Sequence, residues 1–220
     1  MDLIIKTEMY RNPEFESVIE FGVTAVKELD DEDISQVKVA GLYGLCAPLT
    51  IDGQIEDSSI DCFDARDGHA HETYSILSQE IENIGELLQV KLEDCWTFDS
   101  VLFLEEAQVD KEYRGHGVAL RLMREVAYIF RNSFPLYILK AHPTGQSDEV
   151  TDDDCRRLGA YYTSDPVLGF KELDSQKYAG WLVSKGTAEI SETSDGCFFR
   201  LSLELKTRCY LSIKAKNISR

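Results

Sequence analysis

Near the middle of the chain an apolar run, Val101-Leu102-Phe103-Leu104, leads through Val109 into the segment Arg114-Gly115-His116-Gly117-Val118-Ala119. Beyond it Val118, Leu122, Val126, Ile129 and Phe130 fall at helical spacing, an apolar stripe of the kind that packs on a sheet. The order is strand, glycine turn, helix. A helix start leaves backbone N–H groups unpaired and adds the positive end of the dipole, which suits a pyrophosphate. Gly115 and Gly117 let the backbone come close to phosphate oxygens with no Cβ in the way. Arg114 opens the turn, and the small Ala119 allows the helix to lie near the sheet.

Three phosphate-binding patterns can be tested against these residues. A Walker A loop ends in Gly-Lys-Ser/Thr, whereas this turn ends Gly-Val-Ala. A dinucleotide fingerprint places a third glycine three residues after the second, where this chain has Leu120. What remains is Arg/Gln-x-x-Gly-x-Gly/Ala.

The flanks supply more of an α/β chain. Ser17 to Val26 and Gln36 to Leu45 read as strands, and the polar stretch from Thr50 to Gly68 reads as loop with a short strand around Ile60 to Phe63. Tyr74, Leu77, Ile81, Ile84 and Leu88 mark an amphipathic helix over His71 to Gln89. Phe134-Pro135 closes the central helix, and Leu136-Tyr137-Ile138-Leu139 reads as a buried parallel strand. Thr151-Asp152-Asp153-Asp154 starts a helix that runs through Leu158 to Tyr162 and ends before Pro166. Alternation in Phe199, Leu201, Leu203 and Leu205, and again in Tyr210 to Ile213, predicts an antiparallel hairpin at the tail. The fold class is α/β: strand–helix–strand–helix at the centre, with more strands at both ends.

Composition narrows the function classes. A net charge of −17 repels phosphate backbones and anionic membranes, so the expectation is no nucleic acid and no membrane partner, and a cationic substrate is favoured. No apolar run approaches the roughly 18 residues that span a bilayer. The first residues, Met1-Asp2-Leu3-Ile4-Ile5-Lys6, do not read as a signal peptide, which points to the cytoplasm. The six cysteines include no C-x-x-C pair and read as free, mostly buried thiols. His69-Ala70-His71-Glu72, after Asp61, Asp64 and Asp67, lacks zinc-ligand spacing, so no metal is expected.

Val109-Asp110-Lys111-Glu112-Tyr113-Arg114-Gly115-His116-Gly117-Val118-Ala119 with Leu122-Met123 resembles the acetyl-CoA motif of the GNAT superfamily of N-acetyltransferases. Leu104-Glu105-Glu106-Ala107-Gln108 resembles the strand leading into it, and Tyr161-Tyr162 with Leu168-Gly169-Phe170 resembles the superfamily's next element. The resemblance spans 101–173. It implies one GNAT-like domain over 1–220, with an acceptor-side part at 1–100, an acyl-CoA core at 101–173 and C-terminal strands at 174–220. The implied sheet is mixed and mostly antiparallel, flanked by helices, with a central parallel strand–helix–strand unit. The implied activity is transfer of an acyl group, acetyl from acetyl-CoA, to an amine of a small molecule, peptide or protein by direct attack in a ternary complex.

The resemblance also assigns roles. Arg114, Gly115, His116, Gly117, Val118 and Ala119 would hold the coenzyme, and the backbone of Ala107 and Val109 would pair with the pantetheine arm as an added strand. Glu105 or Glu106 would serve as base for the amine, and Tyr161 or Tyr162 would protonate the departing thiolate. A homodimer is allowed. The alternative is a GNAT-like module that binds acyl-CoA or a partner protein without turnover. Two departures from the common pattern, the helix at 71–89 just before the motif strand and the lengthened stretch Thr163-Ser164-Asp165-Pro166-Val167, bear on the acceptor side.

Overall fold

A computed structural model describes residues 3–28, 36–49, 57–64, 68–90, 98–130, 135–143, 151–174 and 176–186. Along the chain run β1 (Ile4–Arg11), β2 (Ile19–Glu28), β3 (Gln36–Pro48), α1 (Asp57–Asp64), α2 (Gly68–Leu87) and β4 (Ser100–Val109). A 3-10 turn (Lys111–Tyr113), α3 (Val118–Ile129), β5 (Pro135–Lys140), α4 (Asp152–Thr163), β6 (Lys171–Glu172) and β7 (Trp181–Ser184) follow. The strands form a 7-stranded sheet in the order β1-β2-β3-β4-β5-β7-β6. Every neighbouring pair is antiparallel except β4 and β5, which are parallel and joined through α3. The fold is the mixed, mostly antiparallel sheet flanked by helices, with one parallel strand–helix–strand unit.

Each face of the sheet carries its own core. On one face Leu42, Leu102, Leu104 and Leu139 meet Val118, Leu122, Met123 and Val126 of α3, joined by Tyr162 of α4. On the other, Leu45, Phe103 and Ile138 meet Cys62 and Phe63 of α1 and Ile76, Leu77 and Ile84 of α2. The strict alternation of strand side chains sorts residues between these two cores.

Two elements differ from the sequence reading. The segment at 57–64 is helix, not loop with a strand at Ile60 to Phe63. Ser59, Cys62 and Phe63 lie at i, i+3 and i+4 and are buried on one helical face, a period that the surrounding Asp and Ser residues obscure. Ser59 is satisfied there by a 2.8 Å hydrogen bond with Ser17. β1 is the second difference: Ile5 and Met9 pack on the α3-side core while Lys6 and Glu8 point to solvent, as an edge strand requires. The predicted tail hairpin at 199–213 lies outside the described residues, as does Phe134, while Pro135 opens β5, a strand position that tolerates the missing N–H.

A bulge organises the centre of the sheet. Tyr43 pairs with Glu106 and Gly44 with Leu104, so β4 carries one extra residue, Glu105. Before it, Leu102 and Leu104 face α3; after it, Ala107 and Val109 do. Opposite the bulge the two strands press together at Gly44. A Cβ there would stand 2.2 Å from the Phe103 carbonyl oxygen and 2.7 Å from the Phe21 ring. The backbone oxygen cannot swing aside, so Gly44→Ala is expected to lower stability by about 1–3 kcal/mol or more, read as a shifted denaturation midpoint with unchanged slope.

The turn between β6 and β7 is clamped to α2. Lys177, Asn83 and Tyr178 all bond the Glu80 carboxylate, and together they hold its pKa down at about 2, Lys177 contributing most. Lys171 Nζ closes the far end of the same helix by donating to the Leu87 carbonyl at 2.6 Å.

Candidate functional site

β4 and β5 pair from Ser100↔Pro135 to Leu104↔Leu139. Past that point Glu106 to Val109 pair only with β3 among the described residues, while Lys140 of β5 pairs with β7. Two parallel strands that part leave a wedge, and β4 turns one row of backbone N–H and C=O groups toward it. Such a row can accept an extended chain as an added strand.

The glycine turn closes the wide end of this wedge. Tyr113 N–H bonds the Asp110 carbonyl at 2.8 Å, Asp110 N–H bonds the Val39 carbonyl at 2.9 Å, and Arg114 Nε donates back to the Val109 carbonyl at 2.9 Å. The guanidinium is thereby fixed beside the turn. Gly115 sits at φ 79° and Gly117 at φ 72°, left-handed backbone that other residues adopt at a cost. A Cβ built at either glycine meets nothing within 4 Å, so the space over the turn is open. Gly117 is the N-cap of α3, no side chain caps this end, and no acidic residue lies in the first turn. An uncapped helix start under open space is suited to an anion.

One cavity of about 640 Å³ joins these parts. Among the sequence-predicted residues, Glu105, Glu106, Ala107, Val109, Arg114, Gly115, Gly117, Val118, Ala119, Tyr161 and Tyr162 line it. His116 does not; it is exposed. Leu139, Lys140, His142, Met123 and Leu158 are also in the wall. Sequence reasoning missed Lys140 and His142. Their place just past the apolar run Leu136 to Leu139 was the available signal, because ligands gather at the carboxyl ends of parallel strands.

The tyrosines differ in setting. Tyr162 is buried in the α3-side core, whereas Tyr161 is 37% exposed; their ring centroids are 5.4 Å apart. Burial, followed by the neighbouring Tyr161, pushes the Tyr162 hydroxyl up to about 12. Burial and then Asp165 also raise Tyr161. Both hydroxyls stay protonated at neutral pH and can donate. The lengthened stretch after α4 is pinned by Asp165, which is buried, bonds Arg124 at 2.7 and 3.0 Å and accepts the N–H groups of Val167 and Leu168. It holds the end of the tyrosine helix against α3.

The carboxylates sit at the bulge. Glu106 is paired with Tyr43 and so faces the α2 side, and its carboxylate accepts a 2.6 Å bond from Gln108 two residues on. Glu105 is the extra residue itself.

No family model matches the chain, and no curated protein matches it. The solved structures that are distantly similar include two of KacT. A point mutant of KacT is 9% identical with a TM-score of 0.35, covering 78% of this chain and 76% of its own. The KacTA–DNA complex is 10% identical with a TM-score of 0.38, covering 81% and 91% respectively. Likeness at this level carries no weight for fold or function, and the architecture rests on the sheet order and register given above.

Proposed function

We propose that the protein is an acyl-CoA-dependent N-acyltransferase that moves an acetyl group from acetyl-CoA to an amine within a ternary complex. The observation that carries this reading is a single cavity bringing together an uncapped, glycine-opened helix start, an unpaired strand edge, a carboxylate pair and a tyrosine pair. The residues suit a coenzyme of this shape. Arg114 and the N–H groups from Gly117 onward would receive the pyrophosphate, and the edge of β4 at Ala107 and the Val109 N–H would pair with the amide-bearing arm, the Val109 carbonyl being taken by Arg114.

The chemistry balances on these side chains. As the amine nitrogen bonds to the thioester carbonyl carbon and the carbon–sulfur bond breaks, the electron pair leaves on sulfur. Glu106, directly or through a water, takes the proton that the amine loses. A hydroxyl of the Tyr161–Tyr162 pair supplies a proton to sulfur, and the products are an amide and the free thiol. Direct transfer is also supported by the thiols. Among the described residues the cysteines are Cys46, Cys62 and Cys155; all three are buried, none lines this cavity, and burial pushes Cys46 up to about 11.

The test is calorimetry with CoA followed by acetyl-CoA consumption against a panel of amines, read as release of free thiol. Saturable CoA binding with amine-dependent release is expected. Absence of binding at millimolar CoA, or an acyl group on a cysteine that passes competently to the acceptor, would overturn the reading.

A further inference from the structure

The two edges of the sheet are built differently. β6, at one edge, has 2 residues and offers little for a further strand to pair with. β1, at the other, has 8 residues, contains no proline, and keeps an unbroken register with β2 from Ile4↔Val26 to Arg11↔Ile19. Among the described residues no strand pairs with its outer side. Shortness, a bulge and proline are common means of blunting an edge, and β1 uses none of them. Only charge is left.

That charge is complementary to itself. Lys6 and Glu8 are exposed and share a face of β1 with Ile4 and with Tyr10, which is 54% exposed. Ile5, Thr7 and Met9 share the other face, where Ile5 and Met9 are only partly buried against the α3-side core. Two copies of an edge strand that join antiparallel about a two-fold axis normal to the sheet keep their faces. Even-numbered residues then meet even ones, and odd meet odd. An axis at Lys6 sets that cation against its own copy, and an axis at Glu8 does the same with the carboxylate. An axis at Thr7 instead sets Lys6 opposite Glu8, Ile5 opposite Met9, Ile4 opposite Tyr10 and Thr7 opposite itself. Axes nearer either end leave much of the strand unpaired. The strand is also suited to meeting its copy on an acidic chain of net charge −17, since it carries Lys6 and Arg11 against the single carboxylate of Glu8.

We infer that β1 is a self-association surface: two copies of this chain pair their β1 strands antiparallel about Thr7 and join their sheets into one. The outward N–H and C=O groups of β1 supply the ladder, and the facing side chains set its register. Ile5 and Met9 of each copy cover the other's, which extends the α3-side core across the joint. No residue of β1 or β2 lines the cavity at β4, so the pairing draws on nothing that the candidate site uses. The inference is independent of the acyltransferase reading.

The experiment is sedimentation of the full chain over a concentration series. A reversible dimer with a micromolar dissociation constant is expected, the strength of a small interface, and salt should weaken it. Lys6→Glu and Glu8→Lys each turn the facing charges into like ones on both sides of the axis, so either alone should weaken the dimer about tenfold or more. Mixed with each other, the two variants are complementary and should form a heterodimer as tight as the original. The chain carrying both changes should likewise dimerise as the parent does. These recoveries also show that the single variants are folded. A dimer indifferent to either single change, or no recovery in both the mixture and the double variant, would overturn the inference. So would a monomer at every concentration, the result expected if another segment of the chain covers β1.

Discussion

Gly117→Val is expected to abolish CoA binding while leaving a folded protein. Gly117 caps α3 with left-handed backbone, and the space above it is open on the cavity side. A branched side chain placed there fills the volume that phosphate oxygens need and blocks the N–H groups of the helix start. Charge-assisted hydrogen bonds of that kind are worth about 1.5–3 kcal/mol each, so losing two amounts to roughly 100-fold or more in affinity. The backbone strain at φ 72° costs about 1–2 kcal/mol, which a domain of ordinary stability survives. Gly117→Asn separates the two effects. Asparagine tolerates the left-handed conformation yet still crowds the turn, so it should lose binding with less loss of stability. Calorimetry and denaturation on the same samples decide the matter, and a valine variant that keeps CoA affinity within a few fold would show that the coenzyme sits elsewhere.

Glu106→Gln is expected to lower kcat by about 10²-fold or more at saturating CoA, with little change in CoA affinity, because a positioned base acts on the amine and not on the coenzyme. Glu105→Gln should cost less if the bulge residue does not share the acceptor's face. Tyr161→Phe and Tyr162→Phe should spare coenzyme binding and slow expulsion of the thiolate. The raised hydroxyl pKa gives the sign of the pH dependence. A donor pushed up to about 12, as Tyr162 is, stays protonated through the assay range. The tyrosine then contributes no alkaline fall in rate below that value. Four substitutions that all left an established activity untouched would sink these assignments. Tight CoA binding with no amine ever turned over would favour the silent binding module.

The turn and its helix were legible because their residue types answer backbone demands that few others meet. Positive φ at Gly115 and Gly117 and the apolar stripe from Val118 to Val126 are written locally. So is α4, where Thr151 and Asp154 form a capping box. α1 was hidden, since its buried face is spelled by Ser59, Cys62 and Phe63 rather than by large aliphatics. The bulge could not be read, because register belongs to the pairing of β3 with β4 and not to either strand alone. Lys140 and His142 escaped notice for a related reason: only the parting of β4 from β5, a tertiary event, makes the end of β5 part of a site. His116 was carried by the motif, yet its side chain lies outside the cavity.

The extra residue at Glu105 gives β4 two halves that keep opposite time. Up to Leu104 the strand is in phase with the packing of the sheet; from Glu106 onward it runs one beat late. Ironing out the bulge with Glu105 kept would exchange the faces of every side chain from Glu106 to Val109, turning the carboxylate toward α3 and the arm-binding edge out of step with the wedge. Deleting Glu105 would instead join Leu104 to Glu106 and leave those faces as they are. Homologous chains can therefore vary in what stands at the bulge, or lack the extra residue, and still present the carboxylate and the arm-binding edge on the same sides.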